Sequence, residues 1–320
     1  MEYTAVIRTL GTAGEKYQIL LNSLNRQTVQ PSKILVYIAE GYAIPKETIG
    51  KEQYIYVKKG MVAQRALLYN EVTTEYILFL DDDVYLPEIA VEQMYRYLTD
   101  RKADVISPDV FPNAGRSFLG KCLMMISGRM LARKDDRKWG YKVMRNSGYS
   151  YNNHPNAGVY WSQTNAGPCF FCRKTDFLKI HFEDERWMDS LKYAQGDDQV
   201  MFYKMYLFGL RQLTWFESGI EHLDAGSTMM NEEKEKRLIY SDLRFKTIFW
   251  HRFIYQPDKN NLSKVWSLVC IGYTLGFTLL ISLLKLNPLI LLLKYHAIKE
   301  AIGFIKSEEY KNLPSIKKVI

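Results

Sequence analysis

Apolar runs and helical periodicity alternate through the first 108 residues. Five short apolar stretches predict strands, at Thr4–Arg8, Lys33–Ala39, Gln53–Lys58, Tyr76–Leu80 and Asp104–Pro108. Apolar residues at helical spacing predict helices between them, at about Lys16–Asn25, Val62–Thr73 and Pro87–Asp100. This βαβαβ alternation predicts an α/β fold with a Rossmann-like, doubly wound, mostly parallel sheet.

The fourth apolar run ends abruptly in three carboxylates, Asp81, Asp82 and Asp83. Ligands of open α/β sheets bind at the carboxyl ends of the strands. Three adjacent acids repel one another unless a cation shares their charge. Mg²⁺ or Mn²⁺, held partly by phosphate oxygens, suits such a group of hard oxygen ligands. The structural alternative is a solvated acidic turn that caps the next helix.

Further elements follow residue 160. A turn and a strand are predicted over Asn165–Arg173, and another strand over Arg211–Trp215. Gly196 precedes Asp197 and Asp198 at the start of a predicted helix, where acids complement the helix dipole. Capping would account for one acid, which leaves the second for chemistry. His222 lies after this, in the sequence I-E-H-L-D, where a structural role is the alternative to a ligand role.

A polar and then aromatic-rich helix is predicted over Glu232–Tyr255, and the chain then becomes strongly apolar. Val265–Leu284 is twenty residues without a charge, about the length that crosses a bilayer core. Lysines flank this run and a second short one at Leu289–Leu293. We expect membrane attachment at the cytoplasmic face; the alternative is a pair of helices packed on the rest of the protein.

Composition narrows the class of protein. With 47% hydrophobic and 24% charged residues, the 320-residue chain is globular and not disordered. Its net charge of +8 suits an anionic partner such as a nucleotide or a membrane surface. The N-terminus enters a strand pattern without a secretory signal, so we expect a reducing, cytosolic setting. In that setting, Cys169 and Cys172 are interpreted as a packed pair, with a metal or redox role as the alternative.

The region 111–160 is rich in Gly, Asn, Tyr and basic residues. It is interpreted as a solvated loop, with an acceptor lid or a membrane-facing basic patch as the functional alternative. The predicted organisation is a catalytic domain over 1–225, divided at residue 108 into a nucleotide half and an acceptor half. A connecting segment over 226–260 and membrane-associated helices over 261–320 complete it.

Several motifs occur in a familiar order. They read V-I-R-T near the start, S-L-N-R-Q-T-V-Q-P-S-K-I-L-V, K-G-M-V-A-Q-R-A-L, Y-I-L-F-L-D-D-D-V-Y-L-P and finally G-D-D-Q. Over about residues 3–225 the chain resembles glycosyltransferase family 2, whose members have the GT-A fold. The resemblance implies transfer of a sugar from a nucleotide-sugar donor to a saccharide or lipid-linked acceptor, with a divalent metal, in cell-surface polysaccharide synthesis. It implies no nucleic-acid partner and leaves the oligomeric state open.

The resemblance also implies roles for particular residues. The triplet is similar to the family's D-x-D motif, in which the first acid lies by the ribose and the last binds the metal. G-D-D is similar to the family's Gly-Glu-Asp, which makes Asp198 the catalytic base with Asp197 beside it. Expected donor-binding residues are Arg8, Glu40, Gln64, Arg65, Asp81 and Asp82. Expected metal ligands are Asp81, Asp83 and His222.

The chain departs from the family pattern in two places. The second strand ends in Ala39-Glu40-Gly41-Tyr42 where the family has Asp-Asp-Gly-Ser, so Glu40 alone is left for base recognition. No Q-x-x-R-W string follows the base, which indicates a non-processive enzyme. The resemblance further implies the hexosyltransferase class, and in-line attack on the donor would invert the anomeric centre. The alternatives are a sugar nucleotidyltransferase and a non-catalytic, membrane-associated glycan-binding protein. The Gly-containing loop L-G-T-A-G-E-K is a poor match to the first of these.

Overall fold

The computed structural model describes residues 1–110, 117–130, 139–152, 157–191, 195–224, 231–316 and 318–319. An eight-stranded sheet forms its centre, in the order β3-β2-β1-β4-β10-β6-β11-β9. These strands are β1 (Tyr3–Thr9), β2 (Lys33–Ala39), β3 (Glu52–Val57), β4 (Tyr76–Asp81), β6 (Val105–Pro108), β9 (Gly158–Ser162), β10 (Cys169–Arg173) and β11 (Gln212–Phe216). Two small antiparallel ribbons pair β5 (Val84–Tyr85) with β12 (Glu221–His222) and β7 (Tyr141–Val143) with β8 (Ser150–Asn152).

The sheet is mostly parallel, as the sequence predicts. Strands β3, β2, β1 and β4 run parallel to one another, and β6 runs parallel to β11. Strand β10 lies antiparallel between β4 and β6, and β9 lies antiparallel at the edge. The antiparallel β10 brings the turn that precedes it to the carboxyl end of β4, where the backbone N–H of Asp81 donates to Pro168 O at 2.8 Å.

Helices cover both faces of the sheet. They are α1 (Glu15–Asn25), α2 (Ala90–Arg101), α3 (Phe118–Ile126), α4 (Lys174–Leu178), α5 (Asp197–Leu207), α6 (Glu232–Phe249), α7 (Asn261–Leu284), α8 (Pro288–Lys306) and α9 (Glu308–Lys311). A 3₁₀ helix spans Phe182–Ser190, and a π-helix over Trp250–Tyr255 continues α6. Alternate strand residues point to opposite faces of the sheet, and each face has its own hydrophobic core. Leu78 packs in the core beneath α1 and α2, and Phe79 packs in the core beneath α5 and α6.

The predicted helix over Val62–Thr73 is wrong. Residues 61–66 form consecutive turns instead. The Asp189 carboxylate accepts the backbone N–H groups of Val62 and Ala63, each at 2.9 Å, and so fixes this segment from outside. Tyr69 then adopts a left-handed φ of 51°, which a continuing helix excludes. The helix predicted from about Pro87 begins at Ala90, after a turn in which the Ala90 N–H donates to Pro87 O at 3.0 Å.

The C-terminal helices share the core of the catalytic half. Ala301 and Tyr310 belong to the same buried cluster as Phe79, and the rings of Trp187 and Phe304 stack at 5.3 Å. Helix α8 packs on α6, as the packed-helix alternative predicts for the tail. The predicted boundaries at 225 and 260 stay predictions, but they do not divide the hydrophobic core.

A buried ionic cluster reinforces this packing. Glu185 accepts from Arg252 at 2.7 and 2.9 Å and from Lys204 at 3.0 Å, and Arg252 also donates to Pro314 O at 3.2 Å. Burial raises the pKa of Glu185, but Arg252 and Lys204 outweigh it, so the pKa lies below its usual value. The cluster joins the 3₁₀ helix, α5, the π-helix and the C-terminal segment.

The two cysteines of the C-x-x-C sequence are free and buried on opposite faces of β10. Residues three apart on a strand point in opposite directions, so their thiols cannot bind one metal ion. The interpretation as packed core residues is therefore correct.

Candidate active site

The carboxyl ends of β1 and β4 form the floor of a cavity of about 540 Å³. The floor carries Arg8 and Thr9 from β1 and the Asp triplet from β4, because Arg8 and Asp81 are register partners in the parallel pair. The walls include the Gly-containing loop after β1, two lysines, the turn over 60–64 and His222. The triplet therefore lies in a cavity, and not on a solvated acidic turn.

Two arginines hold the first acid of the triplet. Both carboxylate oxygens of Asp81 accept from Arg8, one of them at 3.0 Å from Nη2. The guanidinium of Arg65 is buried 3.5 Å from the same carboxylate and donates to Asp197 at 2.8 Å. Burial raises the pKa of Asp81, but the charges of Arg8 and Arg65 outweigh it and lower the pKa below its usual value. Asp81 is thus a fixed anion at the base of the cavity.

Asp198 lies beside this arginine frame. One oxygen accepts from Arg65 Nη1, and the other accepts the backbone N–H of Gly167 at 3.0 Å. Burial, together with the charge of Asp198, raises the pKa of the neighbouring Asp197 to about 6. The two acids therefore differ: Asp197 is buried against Arg65, and Asp198 is only half-buried. Asp198 is the better placed of the two to meet a substrate.

Asp82 accepts a hydrogen bond from the Thr9 hydroxyl across the cavity floor. Burial raises its pKa to about 6, and the charges of Asp83 and Asp81 act in the same direction, against the Thr9 hydrogen bond. A hydrogen-bond donor or a cation in the cavity would stabilise the ionised form of the Asp82 carboxyl.

The β5–β12 ribbon brings His222 to the triplet. Its Nε2 lies 3.0 Å from Asp83 Oδ2, and the backbone N–H of Leu223 donates to Asp83 O at 2.8 Å. The hydrogen bond to Asp83 is the main reason that the pKa of His222 is raised, since burial alone would lower it. The other ring nitrogen, Nδ1, is buried without a hydrogen-bond partner among the described residues. This contact unites two residues that are 139 positions apart in sequence, which the sequence motif alone did not establish.

The Asp83–His222 pair fits a divalent metal in part. Asp83 and His222 place a carboxylate and an imidazole side by side, joined by a hydrogen bond of 3.0 Å, and both side-chain types bind divalent metals. Within the described ranges, no three His, Cys, Asp or Glu side chains are grouped so that they could hold a metal. The protein can therefore supply two ligands, and a diphosphate and water would supply the rest. The metal role predicted for Asp81 would require it to leave Arg8.

Of the other two residues predicted to bind the sugar-nucleotide donor, one lines the cavity and one does not. Gln64 lines it and donates to Thr9 O at 3.2 Å. Glu40 is exposed at the end of β2 and is not part of the lining, so the structure does not bring it to the triplet. Its neighbour Tyr42 instead accepts a hydrogen bond from Lys59, a cavity residue, at 2.7 Å.

Sequence analysis missed three residues that shape the site: Thr9, Gly167 and Asp189. Thr9 binds Asp82, and Asp189 fixes the turn that carries Arg65. A Cβ on Gly167 would overlap the Asp198 carboxylate, so any larger residue there would displace this side chain. The sequence N-A-G-P-C shows a turn, and only the fold shows what the turn contacts.

A mostly parallel sheet that carries this constellation at its carboxyl edge has the GT-A fold, as the motifs predict. Residues 34–174 match the model of glycosyl transferase family 2, a range that contains Arg65 and the Asp triplet. This match confirms the predicted resemblance to the family, whose members use a nucleotide-sugar donor and a saccharide acceptor. The matched range ends before Asp197, Asp198 and His222.

A solved structure described as S. aureus TarS 1-349 is similar to this chain at 14% sequence identity and a TM-score of 0.46. The similarity covers 98% of this chain and 90% of that one. No curated protein matches the chain.

The predictions for the C-terminal tail and for the basic region 111–160 have different outcomes. In the described part of the chain, α7 alone has the length and apolar composition that cross a membrane, and a core helix of a soluble protein can meet the same criteria. Of the predicted basic patch, residues 131–138 lie outside the described residues. Arg129 and Arg145 are described, and each contacts the start or middle of α7.

Proposed function

We propose that the protein transfers a hexosyl residue from a nucleotide sugar to a saccharide or lipid-linked acceptor, with inversion and with Mn²⁺ or Mg²⁺. The observation that carries this proposal is the meeting of three groups at one edge of the sheet. These are the Asp83–His222 pair, the arginine frame around Asp81, and Asp198.

The donor diphosphate would occupy the cavity. Lys16 and Lys59 line the wall opposite the triplet, and the net charge of the chain is +8. The ribose would lie near Asp81, whose position the two arginines fix. Asp83 and His222 would hold the metal, which neutralises charge on the leaving nucleoside diphosphate.

Asp198 would act as the general base. Its carboxylate would accept the proton of the acceptor hydroxyl while that oxygen attacks the anomeric carbon. The bond from this carbon to the diphosphate oxygen breaks, and the nucleoside diphosphate leaves with the electron pair. Attack from the side opposite the leaving group inverts the anomeric centre. Arg65 positions Asp198 through its hydrogen bond and keeps Asp197 paired in the buried space behind it.

Calorimetry with UDP-, GDP- and dTDP-sugars, with and without Mn²⁺, tests the donor part of this proposal. We expect one nucleotide class to bind, and to bind more weakly without the metal. The anomeric configuration of the product, read by NMR, tests inversion. Absence of donor binding by folded protein in Mn²⁺, or a product with retained configuration, would contradict the proposal.

We also infer that the enzyme acts on the cytoplasmic face of the cell membrane, in cell-surface polysaccharide synthesis. Val265, Trp266, Val269 and Tyr273 on α7 are 60%, 66%, 57% and 52% exposed, which is costly in water and favourable against lipid. Flotation of the full-length protein with lipid vesicles tests this inference. Protein that stays soluble and monomeric without detergent or vesicles would refute it.

A further inference from the structure

A second cavity, of about 320 Å³, lies between α3, α7 and α8. Its walls are mainly apolar, with Leu123, Met124, Phe277 and Ile281 among the lining residues. Two cations, Arg129 and Lys294, line the same cavity. None of these residues belongs to the candidate active site.

Among the described residues, the two cations have no acidic partner. The Arg129 guanidinium donates to the Thr278 hydroxyl and lies 4.5 Å from the centroid of the Tyr149 ring, but its Nε is buried without a hydrogen-bond partner. Lys294 donates to Ser282 Oγ at 2.8 Å and more weakly to Thr278 O at 3.4 Å. In the part of the chain that the structure describes, no carboxylate lies within ion-pair distance of either cation. Two neighbouring cations, together with the buried N–H of Arg129 Nε that has no partner among the described residues, favour the binding of an anionic ligand in this cavity.

The other charged groups near this cluster do not neutralise it. Lys246 lies 5.1 Å from the Tyr149 ring, and burial lowers its pKa to about 8. Asp242 is the nearby acid, and it accepts from the Tyr149 hydroxyl at 2.9 Å. Asp242 therefore meets the far end of the ring and makes no ion pair with Arg129.

The surface around the cavity is apolar. Helix α3 has no buried residue, and its Phe118 and Leu119 are 83% and 68% exposed. On α7, Leu280 and Leu284 are 47% and 68% exposed. A ligand that occupies the cavity and this surface together needs an anionic head and an apolar chain. Basic pockets between membrane-associated helices bind lipid head groups of this kind.

We propose that this cavity binds the phosphate group of a lipid, with Arg129 and Lys294 on the phosphate and the lipid chain along α3 and α7. The phosphate could belong to a bilayer phospholipid or to a polyprenyl-phosphate carrier. The inference deepens the proposed function and rests on its membrane attachment.

Contacts lead from this cavity to the base. Arg129 and Lys246 both contact Tyr149, and Lys246 donates to Gln199, which follows Asp198 in α5. These contacts connect the cavity with the start of α5, the helix that carries Asp198.

The test measures binding of the full-length protein to phosphatidylcholine vesicles with and without phosphatidic acid, in the absence of sugar nucleotide. At an ionic strength of about 0.5 M, attraction between surface charges is largely screened. We expect a preference of roughly tenfold or more for phosphatidic acid to survive there, because hydrogen bonds to charged groups in a formed site resist salt. Vesicles that carry polyprenyl phosphate form a second arm: tighter binding there than to phosphatidic acid assigns the site to a carrier, and equal binding assigns it to bilayer lipid.

Four variants sharpen the test. Arg129→Gln and Lys294→Gln should each lower the preference by roughly tenfold. Lys121→Gln removes the same charge from the exposed face of α3, and it should change the preference by less than about twofold in high salt. Leu123→Trp keeps both cations but fills the cavity, and it should abolish the preference while melting near the unchanged protein.

Loss of the preference in high salt, an equal effect of Lys121→Gln, or equally strong competition by inorganic phosphate would overturn the inference. Sugar-nucleotide hydrolysis by the unchanged protein is measured separately. If hydrolysis is absent but lipid-phosphate binding persists, the proposed function fails and this inference stands. If the preference is absent while hydrolysis and flotation persist, this inference alone fails.

Discussion

Replacement of Gly167 by alanine should disable the base without removing it. A Cβ on residue 167 would overlap Asp198 Oδ1 and would lie 2.7 Å from Arg65 Nη2. Relief of this overlap requires the carboxylate to move by about 1 Å or more, since non-bonded heavy atoms separate by about 3.5 Å. Gly167 does not have a positive φ, so the alanine backbone itself is unstrained.

A displacement of this size can lower turnover by about 10²-fold. We expect Gly167→Ala to reduce kcat to this extent while the affinity for the sugar nucleotide, measured by calorimetry, changes by less than about threefold. Gly272→Ala is the matched control, because a Cβ there meets no atom within 4 Å. The control should retain full activity.

A double-mutant cycle makes the test decisive. If Gly167→Ala acts through Asp198, then adding it to Asp198→Asn should slow the enzyme no further, because the base is already lost. Additive losses would show that Gly167 matters for another reason. A Gly167→Ala enzyme with normal turnover would refute the argument that the position of Asp198 limits catalysis.

Three further predictions test other parts of the structure. Asp198→Asn should keep donor binding and lower kcat by roughly 10²-fold or more, and an inactive Asp197→Asn beside a normal Asp198→Asn would move the base by one residue. Asp83→Ala should abolish metal-dependent donor binding, which calorimetry with and without Mn²⁺ measures; unchanged metal dependence would exclude Asp83 as a ligand. Burial, assisted by the charge of Lys264, lowers the pKa of His251 to about 4. The unfolded histidine binds its proton near pH 6.5, so the unfolded state holds more protons than the folded state between pH 6.5 and 4. The free energy of unfolding should therefore fall as the pH drops through this window. The expected decrease is about 2 kcal/mol after allowance for partial exposure. His251→Phe should remove this part of the pH dependence, and a variant with the same slope as the unchanged protein would contradict the assignment.

The sequence predicts elements whose signal is local. The strand at Lys33–Ala39 is predicted with its observed bounds, and the strand that ends at Asp81 is predicted to within one residue. Each is a continuous apolar run with polar residues at both ends, as in strands buried on both faces. The acidic triplet is visible for the same reason, since it interrupts such a run.

Features set by distant contacts were not predictable in this way. The segment 61–66 has helical periodicity, yet Asp189, more than 120 positions later, binds its amides and holds it in turns. Periodicity also gives strand positions without directions, so the antiparallel insertion of β10 was not visible. The contacts of Asp198 with Arg65 and Gly167 depend on that insertion. The motifs therefore point to Asp198 as the proposed base, and only the fold shows which residues hold its carboxylate.

The ionic cluster at Glu185 has a consequence for biosynthesis. Glu185 is fully buried, and its partner Arg252 and the carbonyl of Pro314 lie far later in the chain. Before the residues after 225 are made, Glu185 has Lys204 but not Arg252 as a partner, and burial of a carboxylate with an incomplete set of partners is unfavourable. The ion pairs of Glu185 are therefore complete only when Arg252 has been added, and Arg252 in turn donates to Pro314 O near the end of the chain. We therefore expect this core to be completed late in synthesis, after the helices that lie between Arg252 and Pro314 have been made.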